Sequence, residues 1–164
     1  MNYVRGFEIM ASVLFGAYLF WVSMQDAKEM QVVRYSHLLG VVAILCVLLT
    51  RCVWSAGSVV EAGTIWKVHL WEIGVVWLLQ FIGYKIRLYG LADVFVVGIC
   101  ATFYYFASGK YQCLFFGVAL YAVSGILLLL VEFARGNLKG WKLEQKVPYI
   151  PYVAVAFFLT KWVI

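Results

Sequence analysis

The sequence predicts an all-α integral membrane protein, a bundle of about six transmembrane helices, on three observations. The first is composition. Of 164 residues, 65% are hydrophobic and only 13% charged, with a mean hydropathy of +0.92. Ordinary globular domains carry roughly 25% charged residues, so this chain has too little polar surface to coat a soluble globule. The second is that the apolar runs are continuous, without the in–out alternation of a membrane β-barrel. The third is that the 13 basic residues are spread through the short segments between those runs. Topology signals are distributed in this way, so the net charge of +5 reads as orientation in a lipid bilayer and no nucleic-acid partner is expected.

At roughly 20 residues per span, six helices fit, near 8–25, 36–51, 67–84, 90–107, 112–132 and 148–163, in one transmembrane domain covering residues 1–164. The first follows Arg5 and contains the uncharged run Ile9 to Gln25. That run is longer than a usual signal-peptide core and ends in Ser23-Met24-Gln25-Asp26, without a small-x-small cleavage site. A retained first helix is expected. The second holds few apolar residues between His37 and Arg51, so it is short or sunk at one end. The third carries Lys67, His69 and Glu72 in its first turns. The fourth lies in a 22-residue interval, Leu88 to Gly109, whose one charge is Asp93. The fifth is apolar up to Glu132, and the sixth begins at Pro148, a residue suited to the first turn of a helix. There is no internal repeat.

Orientation follows from the basic residues. The odd loops hold Lys28, Arg34, Lys85, Arg87, Arg135, Lys139, Lys142 and Lys146, while the termini and even loops hold Arg5, Arg51, Lys67, Lys110 and Lys161. The positive-inside rule puts the odd loops in the cytoplasm and both termini outside. Asp26, closing helix one, and Asp93, opening helix four, then share the cytoplasmic boundary, provided the third helix spans. Glu132 and Pro148 fall at the same level.

A carboxylate at mid-bilayer costs about 2.5–3.5 kcal/mol on insertion scales, less near a helix end, so an intramembrane Asp93 marks a functional site and asks for a partner. Asp26 is the obvious one. Two membrane carboxylates point to acid–base chemistry or to ion movement. The plainer readings are a solvated helix end for Asp26, a structural hydrogen bond for Asp93, an interfacial charge near Arg135 for Glu132 and a boundary residue for Glu72. His37 and His69 lie near helix starts and are not expected to act as bases. The 7 Trp, 11 Tyr and 12 Phe suit interfacial belts and packing. Cys46, Cys52, Cys100 and Cys113 form no CxxC pair and no Cys/His cluster, so they read as small core residues, with no zinc site.

Three segments in order resemble the type IV prepilin and preflagellin peptidases, a family of intramembrane aspartic proteases. Asp26 followed by AKEMQVVRYSHLL resembles the family's first aspartate and the basic, then apolar, stretch after it. Tyr89-Gly90-Leu91-Ala92-Asp93-Val94 resembles the GxGD signature, and Val147-Pro148-Tyr149-Ile150-Pro151-Tyr152 the proline-rich start of the last helix, often PFxPF. The likeness covers nearly the whole chain. Ala92 stands for the second glycine of GxGD, Phe95 for a frequent lysine, and Val33-Arg34-Tyr35 replaces a usual proline. The cysteine-rich domain of the bifunctional members has no counterpart, so no methyltransferase activity is expected.

The resemblance implies a catalytic Asp26–Asp93 dyad and no metal or organic cofactor. Gly90 and Ala92 would let backbone or substrate approach Asp93, Tyr89 would shape the substrate channel, and Pro148 and Pro151 would keep the start of helix six partly unwound, exposing backbone to an extended substrate. The implied substrate is a pilin-like precursor, cleaved at the cytoplasmic face of the inner membrane just before its apolar helix. Which pilus, secretion or adhesion filament it serves stays open. So do two other classes: an ion-coupled transporter or channel subunit using both aspartates, and an inactive scaffold of the same fold.

Overall fold

Backbone hydrogen bonding carries most helices past the edges of the apolar runs. The computed structural model describes residues 2–55, 59–86, 90–108, 113–136 and 147–163; the side chains of 2–5, 7, 51–69, 162 and 163 are outside that description. Among the described residues there are six helices and no strand: α1 Asn2–Glu29, α2 Ser36–Ser55, α3 Val59–Lys85, α4 Leu91–Ser108, α5 Cys113–Ala134 and α6 Ile150–Val163. Each expected helix is present. α1 and α3 start six and eight residues before their expected positions, because a charged residue ends an apolar run without ending a helix. α4 and α5 each start one residue later than expected, at Leu91 and Cys113, and α6 two residues later, at Ile150 rather than Pro148.

Among the described residues, three helices are long and apolar enough to cross a membrane: Glu8–Glu29 within α1, Leu91–Ser108 and Cys113–Ala134. α2 and α6 contain shorter apolar stretches, Ser36–Thr50 and Ile150–Lys161. The outward faces are strongly apolar, with Val13, Phe20, Trp71 and Phe133 all more than 60% exposed.

α4 lies at the centre, packed against α2, α3, α5 and α6, while α1 packs on α2 and α6. A helix apolar all round belongs inside, and α4 buries nearly every residue from Val94 to Tyr105. Phe15 of α1 stacks on Phe103 with centroids 3.8 Å apart, and Phe157 of α6 tilts against Phe15 at 5.0 Å. Tyr104 stacks on Phe116 of α5, again at 3.8 Å. Two glycines allow closer approach. A Cβ at Gly98 would come within 2.8 Å of the Trp77 ring on α3, and one at Gly40 within 2.9 Å of Ile99 and 3.0 Å of the Tyr18 ring.

Local signals set the ends that matter for function. Met30 ends α1 with a left-handed φ of 50°, its N–H bonded to the Asp26 carbonyl at 2.9 Å. Gln25 Oε1 accepts hydrogen bonds from Ser36 Oγ at 2.8 Å and from the Val33 N–H at 3.4 Å, tying the α1–α2 loop down. The left-handed region costs a residue with a Cβ about 1 kcal/mol, partly offset in glycine by its looser unfolded chain. Met30→Gly is therefore expected to stabilise the protein by about 0.5 kcal/mol. Thermal unfolding in detergent checks this, and a lower midpoint would mean that the exposed Met30 side chain makes a stabilising contact.

Candidate active site

Asp26 sits one turn before the end of α1, and its residue is only 8% exposed. Its environment is set from a distant part of the chain. Pro148 has no N–H and disfavours helical backbone at Val147, and residues 147–149 are non-helical. α6 begins just beyond them, and the first N–H groups of a helix have no partner within it. Asp26 supplies one: its Oδ2 accepts the Ile150 N–H at 2.9 Å, and the Tyr149 N–H bonds to the same carboxyl. The carboxylate thus caps α6 and faces the positive end of its dipole.

Asp93 is the third residue of α4 and is partly buried. Its Oδ2 reaches back to accept the Gly90 N–H at 2.9 Å, half of a capping box. A Cβ at Gly90 would stand 3.3 Å from that oxygen. The two aspartates come from different helices, and the start of α2 joins their surroundings: Ser36 bonds to Gln25 beside Asp26, while His37 stacks on Phe95 just beyond Asp93. α2 and α3 together return the chain to the end of the bundle from which α2 set out.

The other expected site residues divide. Gly90 holds Asp93 through its backbone, and Ala92 is packed partly buried against the core beside it. Pro148 and Pro151 bracket Tyr149 and Ile150. Pro148 precedes the helix, whereas Pro151 is its second residue, inside the first turn, where the missing N–H removes no helical bond. The unwound stretch therefore stops at Tyr149, and the Ile150 N–H is taken by Asp26. Tyr89 lies outside the described residues. Glu132 pairs with Arg135, Oε1 to Nη1 at 3.2 Å; it is buried within the bundle, and the Tyr152 hydroxyl on the first turn of α6 reaches the same oxygen at 3.5 Å. The side chains of His69 and Lys67 lie outside the described residues.

Sequence reasoning missed three features here. His37 is joined to the site's surroundings: its Nδ1 is 3.1 Å from the fully buried Tyr18 hydroxyl, and its ring stacks on Phe95 with centroids 5.3 Å apart. Phe95 also meets Trp77 and Phe81 edge-on, at 5.8 and 6.5 Å. An aromatic wall thus stands two residues beyond Asp93. The third feature is the tether of Tyr149, whose hydroxyl bonds to Ser124 on α5.

The arrangement offers two carboxyl groups at one end of an apolar bundle, each with an oxygen fixed by backbone N–H donors. A pair so placed can divide the roles of proton acceptor and proton donor toward a water and a substrate bound between them. No protein-family model, curated protein or solved structure matches the chain.

Proposed function

We propose that the chain is an intramembrane aspartic endopeptidase that removes the short basic leader from type IV prepilin-like precursors at the cytoplasmic face of the membrane. One observation carries the reading: Asp26 and Asp93, far apart in sequence, lie at the same end of the bundle, where Ser36 bonds to Gln25 and the neighbouring His37 stacks on Phe95. The segments around them, and the Pro148-x-x-Pro151 start of α6 whose N–H groups hold Asp26, are those in which the chain resembles prepilin peptidases. The apolar outer faces and the three span-length helices support residence in a bilayer, with the remaining helices completing six crossings.

The chemistry follows from the pair. Two neighbouring carboxyls in a partly dry site share a proton, because ionising both is unfavourable. The ionised member takes a proton from a bound water, which attacks the scissile carbonyl carbon. The protonated member donates to the developing oxyanion, and a proton passes to the leaving amine as the C–N bond breaks. The titration belongs to the pair, so neither aspartate has a fixed role. The bilayer holds the precursor's apolar helix beside the enzyme, which lowers the entropic cost of bringing the peptide bond to the dyad.

Purified protein reconstituted in vesicles with a pilin-like precursor is expected to release the leader peptide, detected by mass spectrometry at the junction of the basic leader and the apolar helix. Intact precursor across pilin, pseudopilin and adhesin precursor types would remove the proposal. Ion flux through the same vesicles without proteolysis would favour a transporter.

A further inference from the structure

We propose that Tyr149 and Ser124 form an interhelix anchor that positions the Asp26 carboxyl, an inference that rests on the peptidase reading above. Asp26 is held by the N–H groups of Tyr149 and Ile150, so its place depends on where that piece of backbone stands. Residues 147–149 lie outside the helix, and the Tyr149 carbonyl accepts the Tyr152 and Val153 N–H groups at 3.1 and 3.2 Å. Those bonds tie the segment to α6 alone, not to the rest of the bundle. The Tyr149 side chain reaches α5, where its hydroxyl bonds to Ser124 Oγ.

Proton counting gives the direction of that bond. Ser124 is fully buried, and its one hydroxyl proton goes to the Tyr121 carbonyl at 3.1 Å. It therefore accepts from Tyr149, which donates. The anchor point is itself braced, because the Tyr121 hydroxyl donates to Oε1 of the buried Gln80 on α3. A polar line thus runs from α3 through α5 to the start of α6 and ends on the Asp26 carboxyl of α1. In an apolar bundle such bonds have few competitors, and they fix geometry more than they add stability. Tyr149 touches Asp26 through its backbone and acts as a positioning residue.

Tyr149→Phe is the cleaner variant, because Ser124 keeps its bond to the Tyr121 carbonyl and no donor is orphaned. In the vesicle assay Tyr149→Phe and Ser124→Ala are each expected to lower kcat roughly ten-fold or more, with KM little changed, as displacing a reacting group by a fraction of an ångström does. The double variant is expected to be no slower than the slower single, and Ser124→Thr, which keeps a hydroxyl, to restore most of the rate. A second readout needs no cleavage. Labelling of Asp26 by a membrane-permeant carbodiimide, read by peptide mass spectrometry against Asp93 in the same molecule, is expected to speed up in Tyr149→Phe and Ser124→Ala and to stay near wild type in Ser124→Thr. Unchanged labelling of Asp26 in both variants would overturn the anchor, whatever the cleavage assay gives. Changed labelling in a protein that cleaves no precursor would leave the anchor standing and remove the peptidase reading instead.

Discussion

Asp26→Asn and Asp93→Asn are each expected to reduce leader cleavage by roughly 10³-fold or more while leaving the protein folded, since positioned acid–base groups contribute about 10²–10⁴-fold each and the dyad needs both. The expectation that folding survives comes from the site's hydrogen bonds. Asp26 accepts the Ile150 N–H at Oδ2 and the Tyr149 N–H at the same carboxyl, and Asp93 accepts the Gly90 N–H at Oδ2. Asparagine keeps one acceptor oxygen of the same reach and loses only the exchangeable acid function. Alanine is a different experiment. At position 26 it would leave the buried N–H groups at the start of α6 without their acceptor, which costs about 1–3 kcal/mol for an orphaned buried group. Asp26→Ala is thus expected to lower the unfolding midpoint, and Asp26→Asn to leave it near wild type. Processing that survived either Asn substitution would end the aspartic mechanism, and an inactive scaffold would tolerate both.

The helices and the aspartates were legible in the sequence because both are carried by single-residue contrast. A lone Asp93 in an otherwise uncharged interval needs no partner to be noticed, and each helix is announced by its apolar run. Span boundaries and helix boundaries are different quantities, however. Charge marks where a chain meets the aqueous edge, while hydrogen bonding carried α1 back to Asn2 and α3 back to Val59. The start of α6 was misplaced by two residues because proline's fitness for a first turn is a local preference, whereas the actual start is set by an acceptor 124 residues away. Long-range pairs of this kind leave no local trace. Tyr149 and Ser124 are an ordinary aromatic and an ordinary small polar residue until the fold places them together. Phe95 read as a lysine lost from a motif; in the fold it packs with His37, Trp77 and Phe81 into an aromatic wall beside Asp93.

Gly40 is where a single added side chain is expected to do the most damage away from the carboxylates. It lies in α2, which packs on both aspartate-bearing helices, and it faces each of them: Tyr18 on α1 and Ile99 on α4. Contacts of 2.9–3.0 Å from a Cβ are shorter than real side chains tolerate, so something must move. Ile99 can shift a methyl group. Tyr18 cannot turn aside easily, since it is fully buried and its hydroxyl is bonded to His37. Overpacking of this sort costs typically 1–3 kcal/mol, and Gly40→Leu, which adds a branched chain beyond the Cβ, is expected near the top of that range. The displacement would spread α1 from α4, and with them Asp26 from Asp93, so cleavage is expected to fall about 10²-fold even in the fraction that folds. Gly16→Leu and Gly74→Leu are the matched controls, because a Cβ at either meets nothing within 4 Å. Both replace a poor helix former with a good one and are expected to match or slightly exceed wild-type stability. Equal stability and activity for Gly40→Leu and the two controls would mean that the α1–α4 spacing is not set at Gly40; a loss confined to Gly40→Leu would identify that close approach as what holds the two carboxylates in register.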